Sequence, residues 1–186
     1  MEVDLYSIAS SKIPGVRIYK LDIREDERGW LKETFDKDNL VSIGFPVEFN
    51  PDIHRVSFNN YRGVTRGIHA ESCDKYVSLA SGSAFIALVD LRSGFDFASL
   101  QTYTVDPGDS VYIPRGVANS YQTLEGNTSY TSIVSKLNES GANIAVNLAD
   151  PDLAIDWPIS LSRSVISKAD MTHPFLKDIT PLKEKS

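Results

Sequence analysis

Apolar and polar residues alternate along Val16-Arg-Ile-Tyr-Lys-Leu-Asp-Ile23, the period of a strand with one face in a core. Ala84-Phe-Ile-Ala-Leu-Val-Asp90 instead runs apolar without a break, as a strand covered on both faces does. Asp106-Pro-Gly-Asp109 is a turn in backbone chemistry, because proline presets φ and glycine permits a positive one. Ser110 to Ile113 then leads into a second break at Pro114-Arg-Gly116, and Ser129 to Val134 and Asn143 to Leu148 add further strand candidates. Helix signals are few: Asp36 to Ile43, closed by Gly44 and Pro46, and a second near Ser167 to Met171. Short strands punctuated by turns predict an all-β sandwich or barrel, and a jelly roll hides both faces of such strands most simply.

The 186 residues suit one domain spanning 1–186, with no repeat or linker to split it. A net charge of -6 argues against a nucleic-acid binder, which needs a basic face, but leaves room for a few arginines around one small anion. Cys73 is the only cysteine, so an intrachain disulfide is impossible and a structural zinc site lacks thiolates. Met1 to Ser11 has no apolar run and carries acids early, so no signal peptide is expected there. No stretch approaches the roughly 20 apolar residues of a membrane span, and the expected location is the cytoplasm.

The densest candidate chemistry lies in Arg66-Gly67-Ile68-His69, just upstream of Asp74-Lys75. A histidine is easily poised to take a proton near neutral pH, and a lysine nearby can stabilise the oxyanion left on a carbonyl. Together they are the minimum kit for removing a proton next to a ketone. The plainer alternative for His69 is a half-buried histidine with satisfied hydrogen bonds, and for Lys75 a solvated surface lysine.

Six motifs in order carry a resemblance. They are Asp26-Glu-Arg28-Gly29-Trp-Leu-Lys-Glu33-Thr-Phe35, Gly63-Val-Thr-Arg66-Gly67-Ile-His69, Val89-Asp-Leu-Arg92, Ile113-Pro114-Arg-Gly116-Val-Ala118, Asp150-Pro151 and Ile155-Asp-Trp157-Pro158. In this order they resemble the dTDP-4-dehydrorhamnose 3,5-epimerases. Ala70-Glu71, Asp74-Lys75-Tyr76, Val117-Ala-Asn119 and His173-Pro-Phe-Leu-Lys-Asp178 look like its streptococcal-type branch. The resemblance implies a homodimeric jelly roll that inverts C3 and C5 of a nucleotide-linked 4-keto-6-deoxy sugar. It implies no cofactor, since the substrate's own ketone is the electron sink.

It further implies that His69 is the base, Asp170 its orienting partner and Lys75 the holder of the enolate oxygen. Arg66 would approach the diphosphate, while Arg28 and Glu33 would help hold the nucleotide, often from across a dimer interface. Asn119 stands where many relatives have a second histidine. Simpler roles exist for several of these: Asp170 as a cap on a late helical turn, Arg28 and Glu33 as a charged hairpin, Trp157 as packing. Gly29 and Gly67 fit close backbone approach or a bulge.

No metal site is expected, because His54 is not at ligand spacing from His69 and His173 lies far off in the tail. One departure bears on mechanism. The family's proton-returning tyrosine aligns with Ser135, followed by Lys136, leaving Tyr130 or Tyr121 as substitutes. That leaves two alternatives open: an epimerase acting at a single carbon, and a nucleotide-sugar-binding protein without useful turnover.

Overall fold

In the computed structural model, which describes residues 11–94, 96–136 and 143–182, thirteen strands and one short helix are seen. The first three strands are β1 (Arg17–Lys20), β2 (Arg24–Asp26) and β3 (Gly29–Leu31), followed by helix α1 (Lys37–Ser42). Then come β4 (Pro51–Asn59), β5 (Val64–Ala70), β6 (Lys75–Ser81), β7 (Ala84–Asp90), β8 (Leu100–Val105) and β9 (Asp109–Ile113). The series ends with β10 (Val117–Thr123), β11 (Thr128–Ser135), β12 (Ile144–Ala145) and β13 (Val165–Ile166). Two sheets pack face to face, ordered β1-β9-β6-β11-β4 and β12-β5-β10-β7-β8, with β13 joining β5 and β2–β3 forming a separate hairpin. This is the expected jelly roll.

The apolar runs have a physical origin in three packed layers. Between the sheets lie Ile18, Val77, Leu79, Ile86, Leu88, Val111, Ile113, Tyr121 and Tyr130. Outside the first sheet, the intervening residues Tyr19, Tyr76 and Tyr112 pack against Leu40 of α1 and against Phe45 and Phe49. Outside the second, Ile68, Val89, Leu91 and Ala118 are covered by Val146, Leu148, Leu153 and Leu176 from the C-terminal segment. Sheet residues of both parities are therefore buried, which is why β7 is buried at every position.

Helix α1 forms where expected: the Asp36 carboxylate accepts from the Asn39 backbone N–H, a cap on an otherwise orphaned donor. Ser167 to Met171 is a turn rather than a helix, stabilised by the Ser167 hydroxyl accepting from the Asp170 N–H. Ser167 does the capping, which frees the Asp170 carboxylate for other contacts. The strand expected over Asn143 to Leu148 shrinks to Ile144–Ala145. Gly29 serves neither close approach nor a bulge: a Cβ there would meet nothing within 4 Å, and its φ of +124° closes the β2–β3 hairpin. Trp157 packs, edge-on to Phe85, with its indole N–H donating to the Leu148 carbonyl. The segment read for a signal peptide lies, apart from Ser11, outside the described residues. Among those described, no helix is long and apolar enough to cross a membrane.

Candidate active site

Where the sheets splay apart, a cleft of about 590 Å³ opens, well matched to a small organic ligand. Its walls follow the strand period. Arg55 and Ser57 of β4, Lys75 and Val77 of β6, and Tyr130 and Ser132 of β11 come from one sheet, and Asn119 and Tyr121 of β10 from the other. Strand β5 contributes Arg66 and His69, which are three residues apart and would point to opposite faces of a regular strand. A bulge reconciles them: His69 pairs with Asn119 and Arg66 with Tyr121, so three steps on β5 match two on β10. Gly67 makes the bulge possible, with φ +124° and no room for a side chain against Ser120 and the Asn119 carbonyl.

His69 Nε2 lies 3.0 Å from Asp170 Oδ1, although a hundred and one positions separate them in the chain. The carboxylate is nearly buried, whereas the imidazole is 41 % exposed toward the cleft. Burial pulls the His69 pKa below its ordinary value, opposed by the Asp170 charge and helped by neighbouring His173 and Lys75. The ring is therefore neutral at neutral pH. With Nε2–H donated to Asp170, the lone pair sits on Nδ1, which among the described residues has no hydrogen-bond partner. That is the atom able to accept a proton.

Lys75 is buried, not solvated, and its ammonium donates to Asn119 Oδ1 at 2.7 Å. Desolvation lowers its pKa, and Glu71, with Oε1 3.6 Å away, acts in the opposite direction. Asn119 thus uses its amide oxygen to aim the lysine. Arg66 is exposed in the cleft, its Nε donating to Asn59 Oδ1 at 3.3 Å. Arg55, Arg66 and Lys75 against Glu71 leave this end of the cleft net cationic in an acidic protein.

Ser135 lies outside the cleft lining, its hydroxyl accepting from the Asp74 N–H. The cleft instead holds Tyr130 and Tyr121, stacked at 4.1 Å with planes 10° apart. They are not equivalent. The Tyr121 hydroxyl donates to Asn59 Oδ1, whereas the Tyr130 oxygen receives only a 3.5 Å contact from Asn119 Nδ2. The Tyr130 proton is therefore uncommitted among the described residues.

One sequence expectation needs correction. His173 is not remote: its Nε2 lies 3.2 Å from both His69 Nε2 and Asp170 Oδ1. Arg28 does not reach the cleft of its own chain, being 85 % exposed on the β2–β3 hairpin and paired with Asp26. Glu33 likewise lies away from it, beside Leu21, Lys32 and Asn39. Arg55 and Glu71 are the residues sequence reading missed. Their 3.0 Å ion pair links β4 to the segment after His69. Alternation along His54-Arg-Val-Ser-Phe would have placed Arg55 and Ser57 on one face, but not which face.

A jelly roll whose inter-sheet cleft pairs a carboxylate-oriented histidine with a buried lysine defines a class of proton-transfer sites acting beside a carbonyl. The chain belongs to the dTDP-4-dehydrorhamnose 3,5-epimerase family, whose profile matches residues 10–178, and to its streptococcal-type branch. It is 40 % identical over 181 residues to the RmlC homolog of Streptococcus pyogenes serotype M6, covering 94 % of this chain and 91 % of that one. The dTDP-4-dehydrorhamnose 3,5-epimerase of Mycobacterium tuberculosis is 30 % identical over 178 residues, 90 % of this chain and 86 % of that protein. The structure of RmlC from Streptococcus suis in complex with dTDP-D-xylose superposes with a TM-score of 0.87 at 36 % identity, covering 96 % of each chain.

Proposed function

We propose that this protein epimerises C3 and C5 of a dTDP-linked 4-keto-6-deoxyhexose by removing and returning the protons beside the ketone. The observation that carries this reading is the His69–Asp170 dyad, held with buried Lys75 in one cleft of sugar-nucleotide size. His69 Nδ1 takes the proton from the carbon next to the ketone. The C–H electron pair becomes the enolate double bond, and the charge moves to the 4-oxygen, where the Lys75 ammonium stabilises it. Asp170 stabilises the imidazolium formed on His69. Arg66 and Arg55 offer guanidinium groups to the diphosphate.

Inversion requires the proton to return from the other face. Tyr130 is on the sheet opposite His69 and keeps an uncommitted hydroxyl proton. Burial and neighbouring Tyr121 push its pKa up, so it holds that proton at neutral pH and is replenished from solvent after each transfer. With Tyr130→Phe, inversion should slow by about 10²- to 10⁴-fold, the usual cost of losing a general acid. Exchange of the same proton with solvent should survive better, because His69 can still return it to the original face. NMR in D₂O reads both rates on one sample. Equal loss of exchange and inversion would reject Tyr130 as the acid.

The working species we infer is a homodimer. Among the described residues, strand β4 is the open edge of its sheet and exposes Ile53, Val56 and Phe58, with exposed Tyr61 just beyond its end, and the β2–β3 hairpin exposes Trp30 and Leu31. An apolar open edge is a liability that a second copy relieves. The same pairing gives Arg28 and Glu33, which miss their own cleft, a cleft they could complete. Sedimentation should report twice the 20.6 kDa chain mass, and a monomer at micromolar concentration would reject the assembly. Cytoplasmic residence follows from the lone cysteine and a nucleotide-activated substrate, and cell fractionation reads it directly.

A further inference from the structure

His69 Nε2, Asp170 Oδ1 and His173 Nε2 form a nearly equilateral triangle with sides of 3.0, 3.2 and 3.2 Å. Hydrogen bonding alone uses this arrangement poorly. If both imidazoles donate, two N–H groups converge on one oxygen with their nitrogens 3.2 Å apart. If only one donates, the remaining lone pairs face each other. Either way one of the three contacts is unsatisfied.

We propose that His69, Asp170 and His173 form a binding site for one divalent d-block cation of the zinc class. Two imidazole nitrogens and a carboxylate oxygen are a borderline-soft donor set of the kind zinc, nickel and cobalt take and calcium or magnesium do not. A cation about 2.1 Å from each atom would subtend ligand–metal–ligand angles of about 90–100°, between octahedral and tetrahedral values, with no ligand movement. The fit lies within the three observed distances. Access is also present. The side chains of His69 and His173 are 41 % and 21 % exposed, and His69 and Asp170 line the cleft, so water can reach the site as remaining ligand. His173 is held independently of its ring, since its backbone carbonyl accepts from Asn147 Nδ2.

Occupancy has a consequence for catalysis that rests on the proposed function. A ring coordinated through Nε2 carries its proton on Nδ1, the nitrogen that must be empty to act as base. Metal binding and proton abstraction therefore exclude each other on His69. The cation acts as a reversible inhibitor, and the site makes the enzyme sensitive to free zinc.

The binding arm of the test needs no substrate. Chelator-treated protein is titrated with Zn²⁺ by calorimetry and with Co²⁺ by visible absorption, beside His173→Gln and His54→Gln. The expected result is one equivalent of metal, visible Co²⁺ bands of low coordination number, and at least about tenfold weaker binding in His173→Gln alone. His54→Gln, which alters the only histidine outside the cluster, should match wild type. Binding that His173→Gln leaves within about twofold, or that His54→Gln abolishes, overturns the site. The second arm adds Zn²⁺ to the solvent-exchange assay. Inhibition reversed by chelator and weakened in His173→Gln supports the exclusion, and full exchange at saturating Zn²⁺ overturns it. A protein that binds zinc as described but never exchanges protons would leave the site standing and reject the epimerase reading instead.

Discussion

Replacing His69 by asparagine should lower enzyme-dependent exchange of the protons beside the ketone by at least about 10²- to 10⁴-fold, the range for losing a general base. Asparagine keeps a polar group near Asp170 but has no lone pair basic enough to take a carbon-bound proton. Nucleotide affinity should change little, because the guanidinium groups of Arg66 and Arg55 lie on other parts of the cleft wall. Calorimetry with dTDP and mass spectrometry of the sugar after incubation in D₂O separate the two effects. A variant that exchanges at the wild-type rate would place the base elsewhere. One that loses dTDP affinity in proportion to exchange would show that His69 serves binding rather than chemistry.

Gly67→Ala should be strongly destabilising. A Cβ there would lie 2.4 Å from Ser120 Cβ, 2.7 Å from Ser120 Cα and 2.9 Å from the Asn119 carbonyl oxygen. Two of those atoms belong to the backbone of β10, which is paired on both sides, with β5 and β7, and has nowhere to retreat. The positive φ adds strain for any residue with a Cβ. About 3 kcal/mol or more of stability should be lost, by analogy with overpacked and conformationally incompatible sites. The damage reaches function as well, since relieving the clash means undoing the bulge that puts Arg66 and His69 on one face. Urea unfolding measures the first effect and solvent exchange the second. A midpoint within experimental error of wild type would mean that β10 yields more than its pairing suggests.

How far the molecule could be read from its residues depends on the range of the interaction. Local chemistry was legible: the short helix within Asp36 to Ile43, the Asp106-Pro-Gly turn and the two-sided burial of Ala84 to Asp90 all follow from neighbours in sequence. Resemblance supplied the pairing of His69 with Asp170, which no local pattern encodes. What stayed hidden was the outcome of long-range chain return. His173 reaches the dyad because the C-terminal segment folds back, with the Asn147 N–H bonding to the Pro174 carbonyl. Arg55 joins the cleft because β4 pairs with β11 in one register, and a slip of one residue would have turned it outward. The same register places Tyr130 inward with Ser132 and leaves Ser135, past an irregularity at Val134, outside the cleft.

The most direct test of the central claim is to incubate the protein with dTDP-4-keto-6-deoxyglucose in D₂O and count deuterium at each carbon by mass spectrometry and NMR. Enzyme-dependent incorporation at both C3 and C5, with inversion at each, is the predicted result. Incorporation confined to one carbon would narrow the activity to a single centre. No incorporation above the enzyme-free control, with dTDP still bound, would contradict the account and leave a nucleotide-sugar-binding protein of the same fold.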